Sequence, residues 1–212
     1  MREGLFHSPY YWVSHFGVWL FLKLKYRLKV EGGRNIPRHG GLVIAANHCS
    51  YLDPPVMCAA TAGRVVRFMA RDTLFSSAFA KWYFNSVRVI AIDRTRGDLG
   101  ALKRAIALLK EGQVIGLFPE GTRSTDGRMH DAKGGIGFLI VKGDVPVVPL
   151  HITGTFQAFP KGSSQFRPAR ITARIGPPIT PEEIRAAMPE KGGYEAVGAL
   201  VMRRIRELAG DA

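Results

Sequence analysis

Five short apolar runs, each closed off by polar or turn-forming residues, constrain the fold of this chain more than any other feature. Leu42-Val43-Ile44-Ala45-Ala46 is one; the others lie at 65–70, 87–92, 114–118 and 145–152. Their apolar character is largely continuous rather than alternating, as expected for strands covered on both faces. Helical patterns separate them. From Asp98, residues Leu99, Leu102, Ile106 and Leu109 repeat at helical spacing, and Gly112 stands where a helix should stop. A more alternating strand at 170–176 precedes Thr180-Pro181-Glu182-Glu183, a capping-box start, and a last helix carries Val197, Leu200, Val201, Ile205 and Leu208. The interleaving predicts an α/β fold: a single-domain sandwich with a mostly parallel mixed central sheet flanked by helices. A chain of 212 residues is long enough to bury such a core.

The N-terminus follows a different pattern. Ser8 and Pro9 make a helix start, and Tyr10, Tyr11, Trp12, Phe16, Trp19 and Phe21 follow. A helix over 9–22 would be roughly 20 Å long at about 1.5 Å per residue, too short to cross a hydrocarbon layer of about 30 Å perpendicularly. Aromatic residues favour the headgroup level, and Lys23, Lys25, Arg27 and Lys29 would meet anionic lipid there. The expectation is therefore an N-terminal interfacial helix; a helix packed on the core is the alternative. Between residues 22 and 30 apolar and basic positions alternate, which predicts a half-buried strand with a basic face. The division is then 1–28, a membrane-associating helix and basic leading strand, and 29–212, the globular domain.

Charge narrows the partner without naming it. Thirty Lys and Arg against 17 Asp and Glu leave +13, so nucleic acid, acidic lipid and phosphate-bearing substrates all qualify. No helix or RNA-binding signature supports nucleic acid, and none is expected as a partner. The two cysteines, Cys49 and Cys58, form no Cys-x-x-Cys pair, so neither a disulfide framework nor a metal site is expected, and a reducing compartment is the default.

Two polar segments stand where apolar runs end, the place where open α/β sheets collect ligands. In Asn47-His48-Cys49-Ser50-Tyr51-Leu52-Asp53 an imidazole and a carboxylate are five positions apart. On one helix they would face apart, but a turn before Pro54 folds Asp53 back toward His48, where it can fix the tautomer. Asp53 also suits a helix N-cap. In Phe118-Pro119-Glu120-Gly121-Thr122-Arg123-Ser124, glycine permits close approach, Thr122 and Ser124 offer hydroxyls, and Arg123 can grip a phosphate. A helix-capping turn would use the same residues. Ile92-Asp93-Arg94 ends a third run, and a surface ion pair would explain it equally well.

Together these residues resemble the 1-acyl-glycerol-3-phosphate acyltransferase family, in which an Asn-His-x-x-x-x-Asp motif and a Phe-Pro-Glu-Gly-Thr-Arg-Ser motif occur in this order. The resemblance spans roughly residues 30–155, with Ile92-Asp93-Arg94 and Val145-Pro146-Val147-Val148-Pro149-Leu150 as its second and fourth blocks. It implies that 29–212 is a catalytic domain and that a fatty acyl chain moves from a thioester to the sn-2 hydroxyl of 1-acyl-glycerol-3-phosphate, forming phosphatidic acid. His48 would deprotonate the hydroxyl and Asp53 would orient the ring. Glu120, Gly121, Thr122 and Arg123 would bind the acceptor, with Arg94 and Arg71 as further phosphate ligands. No cofactor is implied, only acyl-CoA or acyl carrier protein as thioester co-substrate. The implied partners are a lysophospholipid and an anionic membrane surface, with peripheral or monotopic placement on the cytoplasmic face of the cell membrane.

Ser86-Val87-Arg88-Val89 departs from the family where a glycine is expected, which bears on acceptor identity. Glycerol-3-phosphate or another lysolipid is the alternative acceptor. A noncatalytic basic lipid-binding protein would account for the charge and the aromatic N-terminus but leaves both strand-end motifs idle. A lipase-like hydrolase lacks its Gly-x-Ser-x-Gly elbow. Cys49 adjoins His48, but neighbours at a strand end point apart, which argues against a thiol nucleophile. His151 reads as a packing residue, and His130 falls in a polar loop.

Overall fold

The computed structural model describes residues 9–61, 63–71, 77–78, 81–82, 89–92, 99–133, 135–188 and 193–210. Among the described residues seven strands form one sheet: β1 (Lys29–Glu31), β2 (Leu42–Ala46), β3 (Val66–Arg71), β4 (Ile90–Ile92), β5 (Val114–Leu117), β6 (Val147–Thr153) and β7 (Thr172–Ile175). Their spatial order is β1-β7-β6-β2-β5-β3-β4, with every neighbouring pair parallel except β6 and β7. The expected mostly parallel mixed sheet is present. β2 lies between β5 and β6, and all five of its residues are buried.

Strand alternation sends the residues of β2 into two cores. Leu42, Ile44 and Ala46 join Leu22 and Tyr26 of α1 (Pro9–Tyr26) and Val56 and Met57 of α2 (Asp53–Ala60). Val43 and Ala45 join the opposite core. There they meet Ala105 and Leu109 of α3 (Leu99–Lys110), Leu139 and Ile140 of α4 (Ile136–Gly143) and Val201 of the C-terminal helix (Tyr194–Ala209). Helices on both faces explain why the strands read as unbroken apolar runs. At Gly137 a Cβ would come within 1.8 Å of the Tyr194 carbonyl oxygen, so only glycine allows α4 to approach that last helix so closely. Two short helices, α5 (Thr155–Ala158) and α6 (Pro181–Ala186), precede it, and it is α7. The capping box at Thr180 and Glu183 opens α6 rather than the last helix.

The N-terminal expectation needs correction. The helix does not give way to a strand at Leu22; it continues to Tyr26, and β1 is confined to three residues. The alternating stretch satisfies both periods, and the helical one wins because Leu22 and Tyr26, one turn apart, are fully buried while Leu24 is 74% exposed. Arg27 then adopts φ 51, ending the helix, and the Leu28 amide donates to the Leu22 carbonyl. Along α1, Trp12, Val13, Phe16, Trp19, Leu20, Phe21 and Leu24 remain exposed. No helix among the described residues is long and apolar enough to cross a membrane.

Candidate active site

The sheet's register builds the site. Ala45 of β2 pairs with Leu117 of β5, so His48 and Glu120, each three residues further on, leave the same edge of the sheet at the same level. The His48 amide donates to Glu120 Oε1 at 2.7 Å, and the Ser124 amide donates to the His48 carbonyl at 2.8 Å. The loop after β5 thus clamps the His48 backbone on both sides. Asn47 fixes the other flank: its side chain both donates to and accepts from the Ile152 backbone, tying the end of β2 to β6.

Between His48 and α2 the chain turns back on itself around one carboxylate. Asp53 is fully buried, and its Oδ2 accepts the Cys49 and Ser50 amides, each at 2.7 Å. The same oxygen lies 2.8 Å from His48 Nδ1. Because Oδ2 already accepts two backbone N–H groups, it acts as acceptor toward Nδ1 as well. Nδ1 therefore carries the proton, and Nε2 is left with a lone pair for a substrate. Asp53 is the first residue of α2, followed by two prolines, and it caps the preceding turn rather than its own helix. Of its two sequence-predicted uses, the contact with the His48 ring is present, whereas the N-cap position of α2 is taken by Leu52 and no side chain caps it. Phe118 stacks on the imidazole at 4.0 Å with an 18° tilt, fixing the ring plane.

Glu120 differs from the expectation of a ligand-facing residue. It is 1% exposed, and both oxygens accept backbone amides, from His48 and from His130. Burial raises its carboxyl above the usual range, and those two N–H donors pull the other way. Its contacts make it a brace between the β5 loop and His48. Gly121, with φ 67, lets the loop reverse immediately afterwards. Thr122 is exposed on that loop. The Arg123 guanidinium carbon lies 3.5 Å above the Tyr51 ring centroid, and Nη1 is buried with no hydrogen-bond partner among the described residues. Arg94 lies outside the described residues. Of Arg71 only the backbone is described, at the end of β3 opposite Ile92.

Cys49 faces away from this chemistry. It is buried, its sulfur sits 3.4 Å from Thr155 Oγ1, and it lines a cavity of about 600 Å³ that His48 does not line. Burial, reinforced by the Asp53 charge, pushes its thiol up to about 12, the opposite of what a thiolate nucleophile needs. Sequence reasoning did not identify Phe118 as the stacking partner, Asn47 as the inter-strand tie or Tyr51 as the platform for Arg123. The first two follow from strand register. The Tyr51–Arg123 contact joins two loops, and no local pattern signals it.

The fold and site together define an α/β protein that brings a carboxylate-held imidazole and an arginine-bearing loop to one edge of its sheet. A family model described as Acyltransferase matches residues 27–153, well over half of the chain, and the chain belongs to that family. A Bacillus subtilis 1-acyl-sn-glycerol-3-phosphate acyltransferase is 27% identical over 89% of this chain and 92% of its own length. The human 1-acyl-sn-glycerol-3-phosphate acyltransferase alpha is 32% identical over 79% of this chain, which spans only 63% of the human protein. The crystal structure of the 1-acyl-sn-glycerophosphate (LPA) acyltransferase PlsC from Thermotoga maritima superposes with a TM-score of 0.76 at 30% identity. That match covers 98% of this chain and 86% of the other.

Proposed function

We propose that this protein transfers a fatty acyl chain from acyl-CoA or acyl carrier protein to the sn-2 hydroxyl of 1-acyl-glycerol-3-phosphate, with His48 as general base. The observation that carries the reading is the His48–Asp53 contact of 2.8 Å, held by a turn whose amides converge on the same oxygen. The names of the relatives support the acceptor. His48 Nε2 takes the hydroxyl proton as the oxygen attacks the thioester carbonyl, and Asp53 steadies the imidazolium that forms. Collapse of the tetrahedral intermediate expels the thiolate, which recovers the proton from His48, so no acyl-enzyme forms.

The Cys49 and Ser50 amides point at Asp53, that of Gly121 at Phe118 and that of Ser124 at His48. The oxyanion donors therefore come from other groups. Arg123, half-buried with its guanidinium laid over Tyr51, supplies the positive charge that would hold the acceptor phosphate. The exposed aromatics of α1 and the net charge of +13 support docking on an anionic membrane, with the enzyme peripheral or monotopic on the cytoplasmic face.

The reaction is tested by incubating purified protein with labelled acyl-CoA or acyl carrier protein and three acceptors: lysophosphatidate, glycerol-3-phosphate and a neutral lysolipid. Transfer to lysophosphatidate in preference to the others is the expected result. Transfer to none of them with either donor would overturn the proposal. For the membrane contact, Phe16→Ser with Trp19→Ser should reduce cosedimentation with anionic vesicles, and undiminished binding would contradict it.

A further inference from the structure

A chain of aromatic rings, three of them exposed and Phe159 half-buried, leads from the turn that carries His48 to the N-terminal helix. The Tyr51 ring is 5.6 Å from Phe159, Phe159 is 4.4 Å from Phe166, and Phe166 is 5.9 Å from Phe21 of α1. Exposed apolar residues scattered singly mean little, but a contiguous row of them marks a contact surface. Tyr51, Phe166 and Phe21 are 50%, 47% and 37% exposed.

The row is held firmly. Ser50 Oγ donates to the Phe159 carbonyl at 2.6 Å, and the Arg167 amide donates to the Ala158 carbonyl at 2.8 Å. Phe159 packs partly into the core beside α1 and α2. The segment carrying Phe159 and Phe166 is thus bonded to the His48–Asp53 turn itself. Its two ends are chemically different. At one end Tyr51 lies under the Arg123 guanidinium. At the other, Phe21 belongs to the exposed aromatic face of α1, and Lys25 Nζ sits 5.1 Å from the Phe166 ring centroid.

We propose that the aromatic row Tyr51, Phe159, Phe166 and Phe21 is the subsite for the acyl chain of the lysophospholipid acceptor, which lies along it toward α1 while its phosphate is held at Arg123. The inference rests on the acyl-transfer reaction proposed above. An amphiphile with a phosphate at one end and a hydrocarbon chain at the other matches a surface with a guanidinium at one end and apolar rings beyond it. The row also joins the site to the helix face that meets lipid, so the acceptor need not leave the interface completely. Recognition of the chain is then a contribution of the rings to acceptor choice, separate from the chemistry at His48.

The test uses the full chain, its Phe166→Ser variant and a conservative Phe166→Leu variant, each assayed with palmitoyl and hexanoyl lysophosphatidate and a fixed acyl donor. Removing one ring from the row should lower the ratio of kcat/KM for the palmitoyl over the hexanoyl acceptor by roughly tenfold in Phe166→Ser. Phe166→Leu should recover most of it. A misfolded variant would lose both substrates together, leaving the ratio of its residual activity unchanged; thermal denaturation identifies that case, and Phe21→Ser, at the far end of the row from Arg123, then supplies the same comparison. An unchanged ratio in a folded variant overturns the proposal, as does a shift that follows donor chain length instead. A loss that parallels weakened vesicle cosedimentation also overturns it, because the row would then be a membrane contact only. Failure of the wild-type protein to acylate either acceptor would instead refute the underlying reaction.

Discussion

Replacing Asp53 with asparagine separates what its shape does from what its charge does. In the wild-type fold one oxygen accepts from His48 Nδ1 and from the amides of Cys49 and Ser50. Those two amides demand an acceptor at that position, so the asparagine carbonyl should stay there and its NH₂ should take the place of Oδ1, which has no hydrogen-bond partner among the described residues. Hydrogen bonds to a charged acceptor contribute about 1.5–3 kcal/mol each and neutral ones about 0.5–1.5. Three such bonds weaken, while the cost of burying a charge disappears. The net loss of stability is therefore about 1–3 kcal/mol, small enough to leave the fold intact. Catalysis should suffer more, since the ring keeps its tautomer but loses the charge that steadies the imidazolium. We expect kcat to fall by about 10²–10⁴, the range assigned to a general base. Urea denaturation gives the stability change and acyl transfer to lysophosphatidate the rate. A folded Asp53→Asn protein with kcat within about threefold of wild type would refute the reasoning.

Glu120→Ala removes the acceptor for the His48 and His130 amides; it should cost about 2 kcal/mol or more in denaturant titrations and lower kcat more than it raises KM. A change confined to acceptor KM would show that Glu120 binds substrate instead. Arg123→Lys should raise acceptor KM by about tenfold or more, because an ammonium can neither lie flat on Tyr51 nor grip a phosphate bidentately; unaltered steady-state kinetics would count against the phosphate role. Burial holds the Cys49 thiol neutral, with its value raised from 9.0 to about 12, so its contribution to stability is complete below about pH 9 and is lost as pH rises toward 12. Native protein at pH 8 should accordingly resist alkylation at Cys49 until denaturant is added, as peptide mapping can read.

The places where sequence and structure agree share a physical basis. Buried strands such as β2 and β5 are read from unbroken apolar runs because helices cover both faces, and the polar residues that follow them mark the sheet edge where the site lies. His48 and Asp53 were legible together because a five-residue separation with a proline behind it requires a turn. Alternation alone could not place the end of α1, since the residues from 22 to 28 suit a strand and a helix equally and only burial of Leu22 and Tyr26 decides between them. The bracing contact of Glu120 depends on the β2–β5 register, and the stacking of Arg123 on Tyr51 on how two loops meet, and neither is encoded locally. Segment 29–212 begins at β1, but the last buried turns of α1 belong to the same core as the sheet.

The central claim is that His48 acts as a base on the acceptor and that no acyl-enzyme forms. It is tested most directly by mixing protein with radiolabelled acyl thioester, with and without lysophosphatidate, and separating lipid product from protein-bound label in wild type and His48→Ala. Phosphatidic acid should form only when the acceptor is present, with no label on the protein and a rate lower by about 10²–10⁴ in the variant. Protein-bound acyl groups that turn over into product, or a folded His48→Ala protein that transfers at the wild-type rate, would contradict it.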